Sequence, residues 1–230
     1  MLLKVRPEWI RVLVTLSVAA VCLASPAAFQ LSPIDNALIQ LTNVATALAS
    51  MPLPPEQLKP IQSAAGPVVQ AAGMLRGALQ ERKVSERFVK SIDLDTDALT
   101  RAREARAPDG IIATAGAVRD DLQTKVGFVQ GVKGDVPDVA VSAWTPARRN
   151  PLNDYEVWYV PSAHETHPDR FDRFPGLSSP ANQPLAPGNY VMWTQRGAAK
   201  GDRRPVRVGT GGQDRTSVDL PVPVGGQITR

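Results

Sequence analysis

The chain is short of the residues that carry most covalent and metal chemistry. Its 230 residues include one cysteine and two histidines. The cysteine, Cys22, lies inside an apolar run near the N-terminus, so a chain processed after that run keeps no thiol. Disulfides within the mature chain and thiol nucleophiles are thereby excluded. There is no Gly-x-Ser-x-Gly elbow, and His164 and His167 share one short segment, which does not support serine nucleophile chemistry. Aromatic residues make up only 5% of the chain, so the core must come mainly from Ala, Val and Leu. Charge of one sign is scarce too. The formal +4 falls to about +2 once Lys4, Arg6, Arg11 and Glu8 are set aside with the leader described below. Phosphate neutralisation needs clustered Lys and Arg, so no nucleic-acid partner is expected. The nearest cluster, Arg196, Lys200, Arg203 and Arg204, falls in a Gly-containing turn and reads as a solvated hairpin.

What is present begins with an export signal. Residues 1–27 carry Lys4, Arg6 and Arg11, then an uncharged apolar run from Val12 to Ala24, then small residues, with cleavage expected after Ala27. The run is shorter than the roughly 20 residues of a membrane-spanning helix. It therefore reads as a signal peptide and predicts a periplasmic or extracellular protein. Left uncleaved, it would be an anchor in the inner membrane. Ala19, Ala20 and Val21 before Cys22 depart from the lipid-acceptor pattern.

Residues 28–131 read as helical. Apolar residues step by three and four through Ile34, Leu38, Leu41, Ala45 and Leu48, and again from Leu58 to Leu79, where Gly66 and Pro67 predict a kink. A third stripe holds Phe88, Val89, Ile92 and Leu99, with a break expected around Asp93 to Asp97. A fourth holds Ile111, Ala115, Val118, Leu122, Val126 and Val129, ending at Gly131. Four such helices bury their stripes most simply as an antiparallel bundle. Hairpins pairing between chains as a homo-oligomer are the rival arrangement.

Residues 132–224 change period from three and four to two. Val139 to Thr145, Tyr155 to Val160, Tyr190 to Thr194, Arg204 to Val208 and Thr216 to Val222 read as strands, separated by dense Pro and Gly turns such as Asn150-Pro151 and Pro187-Gly188-Asn189. The fold class expected is α+β in two domains, an N-terminal helical bundle or hairpins and a C-terminal antiparallel β-sandwich, with 225–230 as a tail. Trp144, Trp158, Tyr159, Tyr190 and Trp193 are expected to fill the sandwich core, the alternative being an aromatic platform for sugar rings.

The segment Leu185-Ala-Pro-Gly-Asn-Tyr190, followed by alternating residues, and the closing Thr216-Ser-Val-Asp-Leu220 resemble the carboxypeptidase regulatory-like domains. These are prealbumin-type β-sandwiches in which a Leu-x-Pro-Gly-x-Tyr turn feeds a strand. The resemblance implies an accessory module without catalytic residues.

Three patterns have features of sites. His164-Glu-Thr-His167, followed by Asp169, has its histidines three apart where a zinc-protease helix needs four, and Pro168 opposes a helix. Asp93, Asp95, Asp97 and Glu104 have the spacing of a calcium loop, but Ala98 stands where the loop needs glycine. Gly209, Gly211 and Gly212 lack the lysine and helix of a phosphate cradle. No catalytic, cofactor-binding or metal-ligating residue is therefore assigned, and no cofactor. The function expected is an exported non-catalytic binding or structural protein of the bacterial envelope, its sandwich binding a protein or glycan on a helical tether. The alternative is a metal-assisted hydrolase using His164 and His167.

Overall fold

The computed structural model describes residues 31–145, 155–178 and 180–222. The leader with Cys22, the Asn150-Pro151 turn and the C-terminal tail lie outside the described residues.

Four helices come first: α1 (Pro33–Leu48), α2 (Pro55–Ala78), α3 (Glu86–Ala105) and α4 (Pro108–Gly131). Local chemistry sets their ends. Pro55 and Pro108 open α2 and α4 at positions where the missing N–H costs no intrahelical bond. The Ser85 side chain caps α3 by accepting from Phe88 N at 3.0 Å, and Arg106 closes it in the left-handed region. α2 runs through Gly66 and Pro67 as one helix, and α3 runs unbroken through Asp93 to Asp97. The expected break in α3 is absent because Ile92, Ala98 and Leu99 keep one buried face through that segment.

The helices pack as a bundle. α1 contacts α2 and α3, and α4 contacts the same two, so the neighbours run in the order α1, α2, α4, α3. The link between α2 and α3 is fixed by Arg82. Its guanidinium donates to Val129 O (2.5 Å), Val132 O (3.0 Å) and Gly134 O (2.6 Å), satisfying carbonyls at and just beyond the end of α4 that have no intrahelical partner. Arg82→Ala is expected to lower the unfolding free energy by about 2 kcal/mol in urea titration, the scale of bonds from a charged donor.

Eight strands follow: β1 (Val139–Trp144), β2 (Glu156–Pro161), β3 (Asp172–Leu177), β4 (Ala181–Leu185), β5 (Gly188–Arg196), β6 (Ala199–Lys200), β7 (Arg204–Val208) and β8 (Arg215–Asp219). They form a three-stranded sheet, β4-β1-β8, and a five-stranded sheet, β3-β2-β5-β6, in which β7 also pairs with β5. All pairs are antiparallel except β1 with β8, which is parallel. Strands β3, β4 and β6 were not expected from the sequence. β3 and β4 are edge strands that carry Pro175 and Pro184, and an edge is where a strand tolerates a residue without an N–H.

One continuous apolar core joins helices and sheets. It includes Leu41, Ile61, Leu75, Phe88 and Leu122 of the helices together with Val139, Val157, Phe174, Tyr190 and Met192 of the strands. Among the described residues no helix is long and apolar enough to cross a membrane.

Candidate functional site

Strand alternation divides the aromatic residues between two faces of the five-stranded sheet. Tyr159, Tyr190 and Met192 point into the shared core, while Trp158, Val160, Val191 and Trp193 point the other way into a separate small cluster with Phe171. The expectation that all five large aromatics fill one core is thus corrected. Trp158 and Trp193 are each one residue out of step with the core positions beside them. On this outer face the Trp158 and Trp193 rings stack at 6.4 Å and 16°, and Phe171 meets Trp193 edge-on at 4.9 Å. The Arg203 guanidinium lies 5.0 Å from both the Phe171 and the Trp193 ring centres and donates to Glu165 O at 3.0 Å. Trp193 is buried beneath these neighbours, whereas Trp158 is half-buried, its indole N–H donating to Glu156 Oε2 at 3.0 Å. Glu156 is ion-paired with Arg173. Trp144, at the end of β1, is half-buried.

The second candidate is enclosed. Lys125 of α4 is 1% exposed, and its Nζ lies 3.2 Å from Asp95 Oδ2 of α3 and in close contact with Asp121 Oδ2, one turn earlier on α4. Asp121 Oδ1 accepts from Asn189 N of β5 at 2.5 Å. The neighbouring Thr124 hydroxyl meets Asn189 Oδ1 at 3.0 Å. Asp95, Asp121 and Lys125 therefore tie α3, α4 and β5 together where the bundle meets the five-stranded sheet. Burial pushes the Asp95 carboxyl up, against the pull of Lys125, and pushes the Lys125 ammonium down, against the pull of Asp95. The site is closed, so its chemistry is that of a structural joint.

His164 lies beside this joint. It is 0% exposed and its Nε2 is 2.7 Å from Leu94 O, so the neutral ring donates from Nε2. Its Nδ1 has no hydrogen-bond partner among the described residues. Burial lowers its pKa below 6.5, although Leu94 O, Asp97 and Asp95 oppose the shift. His167 is half-buried, with its ring 5.6 Å from that of His164 at 75°. The two imidazoles thus do not converge on a common point in solvent. Among the described residues no group of three His, Cys, Asp or Glu side chains could hold a metal. The acidic residues with calcium-loop spacing lie on one helix. Asp95 faces Lys125, and Asp97 accepts from Arg101 at 3.1 Å and Arg170 at 2.7 Å. The glycine turn packs its backbone on α4: a Cβ at Gly131 would stand 2.7 Å from Gly211 O.

The depressed pKa of His164 has a testable sign. Below pH 6.5 the unfolded chain takes up a proton that the folded chain refuses, so stability falls as pH drops. From this group alone the slope approaches about 1.4 kcal/mol per pH unit once the unfolded imidazole is charged. Urea midpoints between pH 7.5 and 5 are expected to fall for the wild type. His164→Gln, which keeps a donor to Leu94 O, removes that component.

No family model, curated protein or solved structure matches this chain.

Proposed function

We propose that the chain is an exported, non-catalytic binding or structural protein of the bacterial envelope that engages its ligand, a protein or glycan, through the outer face of the five-stranded sheet. One observation carries the reading. The enclosed charges serve the joint between helices and sheet, while the outer face gathers Trp158, Phe171 and Arg203 around a buried Trp193. Partly exposed aromatics beside arginine are the side chains that most often anchor interfaces. The leader supports export, and the likeness of Leu185 to Tyr190 to carboxypeptidase regulatory-like domains supports an accessory module. Because the bundle shares its core with the sheets, it acts in this reading as a rigid mount for the face.

Titrating the protein with separated glycan and protein fractions of the envelope, followed by tryptophan fluorescence, tests the reading. Trp158→Ala is expected to weaken binding about tenfold, equivalent to about 1.4 kcal/mol, with a lowered thermal midpoint from the lost Trp193 stack but a folded protein at the assay temperature. Equal binding by wild type and variant would place the ligand elsewhere.

A further inference from the structure

On the outer face, cations flank the aromatic centre in a regular way. Strand pairing places Arg173 beside Trp158, Lys200 beside Gln195, Pro205 beside Val191, and Arg207 beside Asn189. Asn189, Val191, Trp193 and Gln195 alternate along β5, so these partners share one side of the sheet. Two of the cations are neutralised locally, Arg173 by Glu156 and Arg203 by Glu165 at 3.7 Å. Lys200 and Arg207 have no carboxylate partner among the described residues. They stand beside opposite ends of β5, at Gln195 and Asn189, whose six-residue separation is roughly 20 Å at strand rise, with Val191 and Trp193 between them. Beyond Arg207 a cleft of about 280 Å³ opens against α4, lined by Asp120, Gln123, Thr124, Thr210 and two glycines. Asp120 is held by Arg119 at 2.6 Å, so the hydroxyl and amide groups are the cleft's uncharged polar contacts.

We infer that the ligand of this face is an acidic polysaccharide, a chain of pyranose rings bearing carboxylates; the inference rests on the outer-face reading above. The apolar C–H faces of pyranose rings suit the π face of Trp158, which is electron-rich. Carboxylates spaced along the polymer reach Lys200 at one end and Arg207 at the other. A single sugar would not span that interval. Hydroxyl groups of the terminal rings meet Thr124, Gln123 and Thr210 in the cleft. Two unpaired cations so far apart suit a polymer of widely spaced charge better than a nucleic acid, whose phosphates call for a continuous basic track. The small net charge of the chain conceals this arrangement, because it sums over all faces.

Affinity electrophoresis of the full mature protein in native gels containing alginate, dextran or duplex DNA tests the inference. Alginate is expected to retard the wild type at least tenfold more strongly than dextran or DNA. Both Trp158→Ala and the pair Lys200→Ser, Arg207→Ser should migrate as if alginate were absent, the exposed pair with a thermal midpoint close to the wild type. Equal retardation by alginate and DNA, or by wild type and the paired variant, would overturn the inference. Equal retardation by dextran and alginate, lost in Trp158→Ala, would overturn the acidic ligand and leave the outer-face reading standing. No retardation in any gel, with a Trp158-dependent response to an envelope protein fraction, would do the same. No Trp158-dependent response to any fraction would overturn both.

Discussion

Lys125→Met is expected to lower the unfolding free energy by about 3–5 kcal/mol, the cost of leaving a buried charge without its partner. The substitution keeps the volume and the unbranched stem, so packing changes little. What it removes is the cation that, among the described residues, bridges Asp95 and Asp121, which are 2% and 5% exposed. Protonation would relieve Asp95, whose pKa burial already raises, so the deficit of the variant should shrink toward acid pH. A combined variant, Asp95→Leu, Lys125→Met and Asp121→Asn, is expected to recover most of the loss, since apolar replacement of a buried ion group is often neutral. Asn at 121 keeps an acceptor for Asn189 N–H. Urea denaturation at pH 7 and pH 5 measures all three effects. A Lys125→Met variant as stable as the wild type would mean that water reaches the joint.

The layout of helices followed by strands is legible in the hydrophobic period, because each helix buries one stripe and each central strand alternates. Residues such as Leu41, Leu75, Leu99 and Leu122, or Val139 and Val157, are completely buried where those periods place them. Edge strands are less legible. β3 and β4 bury few side chains and contain prolines, so neither period nor propensity marks them. The charged joint was hidden for another reason: its members are far apart in sequence and each looks like a solvated helix residue. A signal was nonetheless present. Asp95 falls on the stripe Phe88, Ile92, Leu99, and Lys125 follows Val118 and Leu122 on the stripe that continues to Val129. A charge on the apolar stripe of a helix must be paired, and opposite charges on two such stripes are natural partners. The division of tryptophans between sheet faces was legible in principle from alternation alone, since Trp158 neighbours Tyr159, and Trp193 neighbours Met192.

Gly188→Val is expected to cost about 3 kcal/mol or more, through backbone strain added to overpacking. Gly188 has φ +156, a conformation L side chains rarely adopt, and a Cβ there would stand 2.5 Å from Asp121 Oδ1. That oxygen is the one receiving Asn189 N–H, so the new side chain would push α4 away from the start of β5 and break the link that the carboxylate makes. The glycine of the Leu185-Ala-Pro-Gly-Asn-Tyr190 turn is therefore a contact requirement as well as a turn requirement: helix and strand meet where a hydrogen atom is all that fits. Because Asp121 also holds Lys125, the damage should couple to the charged joint. In a double-mutant cycle with Lys125→Met the losses are expected to fall short of additive by about 1 kcal/mol or more, as for residues sharing one network. Strict additivity in urea titration would show that the Gly188 contact and the ion group act independently, and that the joint between bundle and sheet is two devices instead of one.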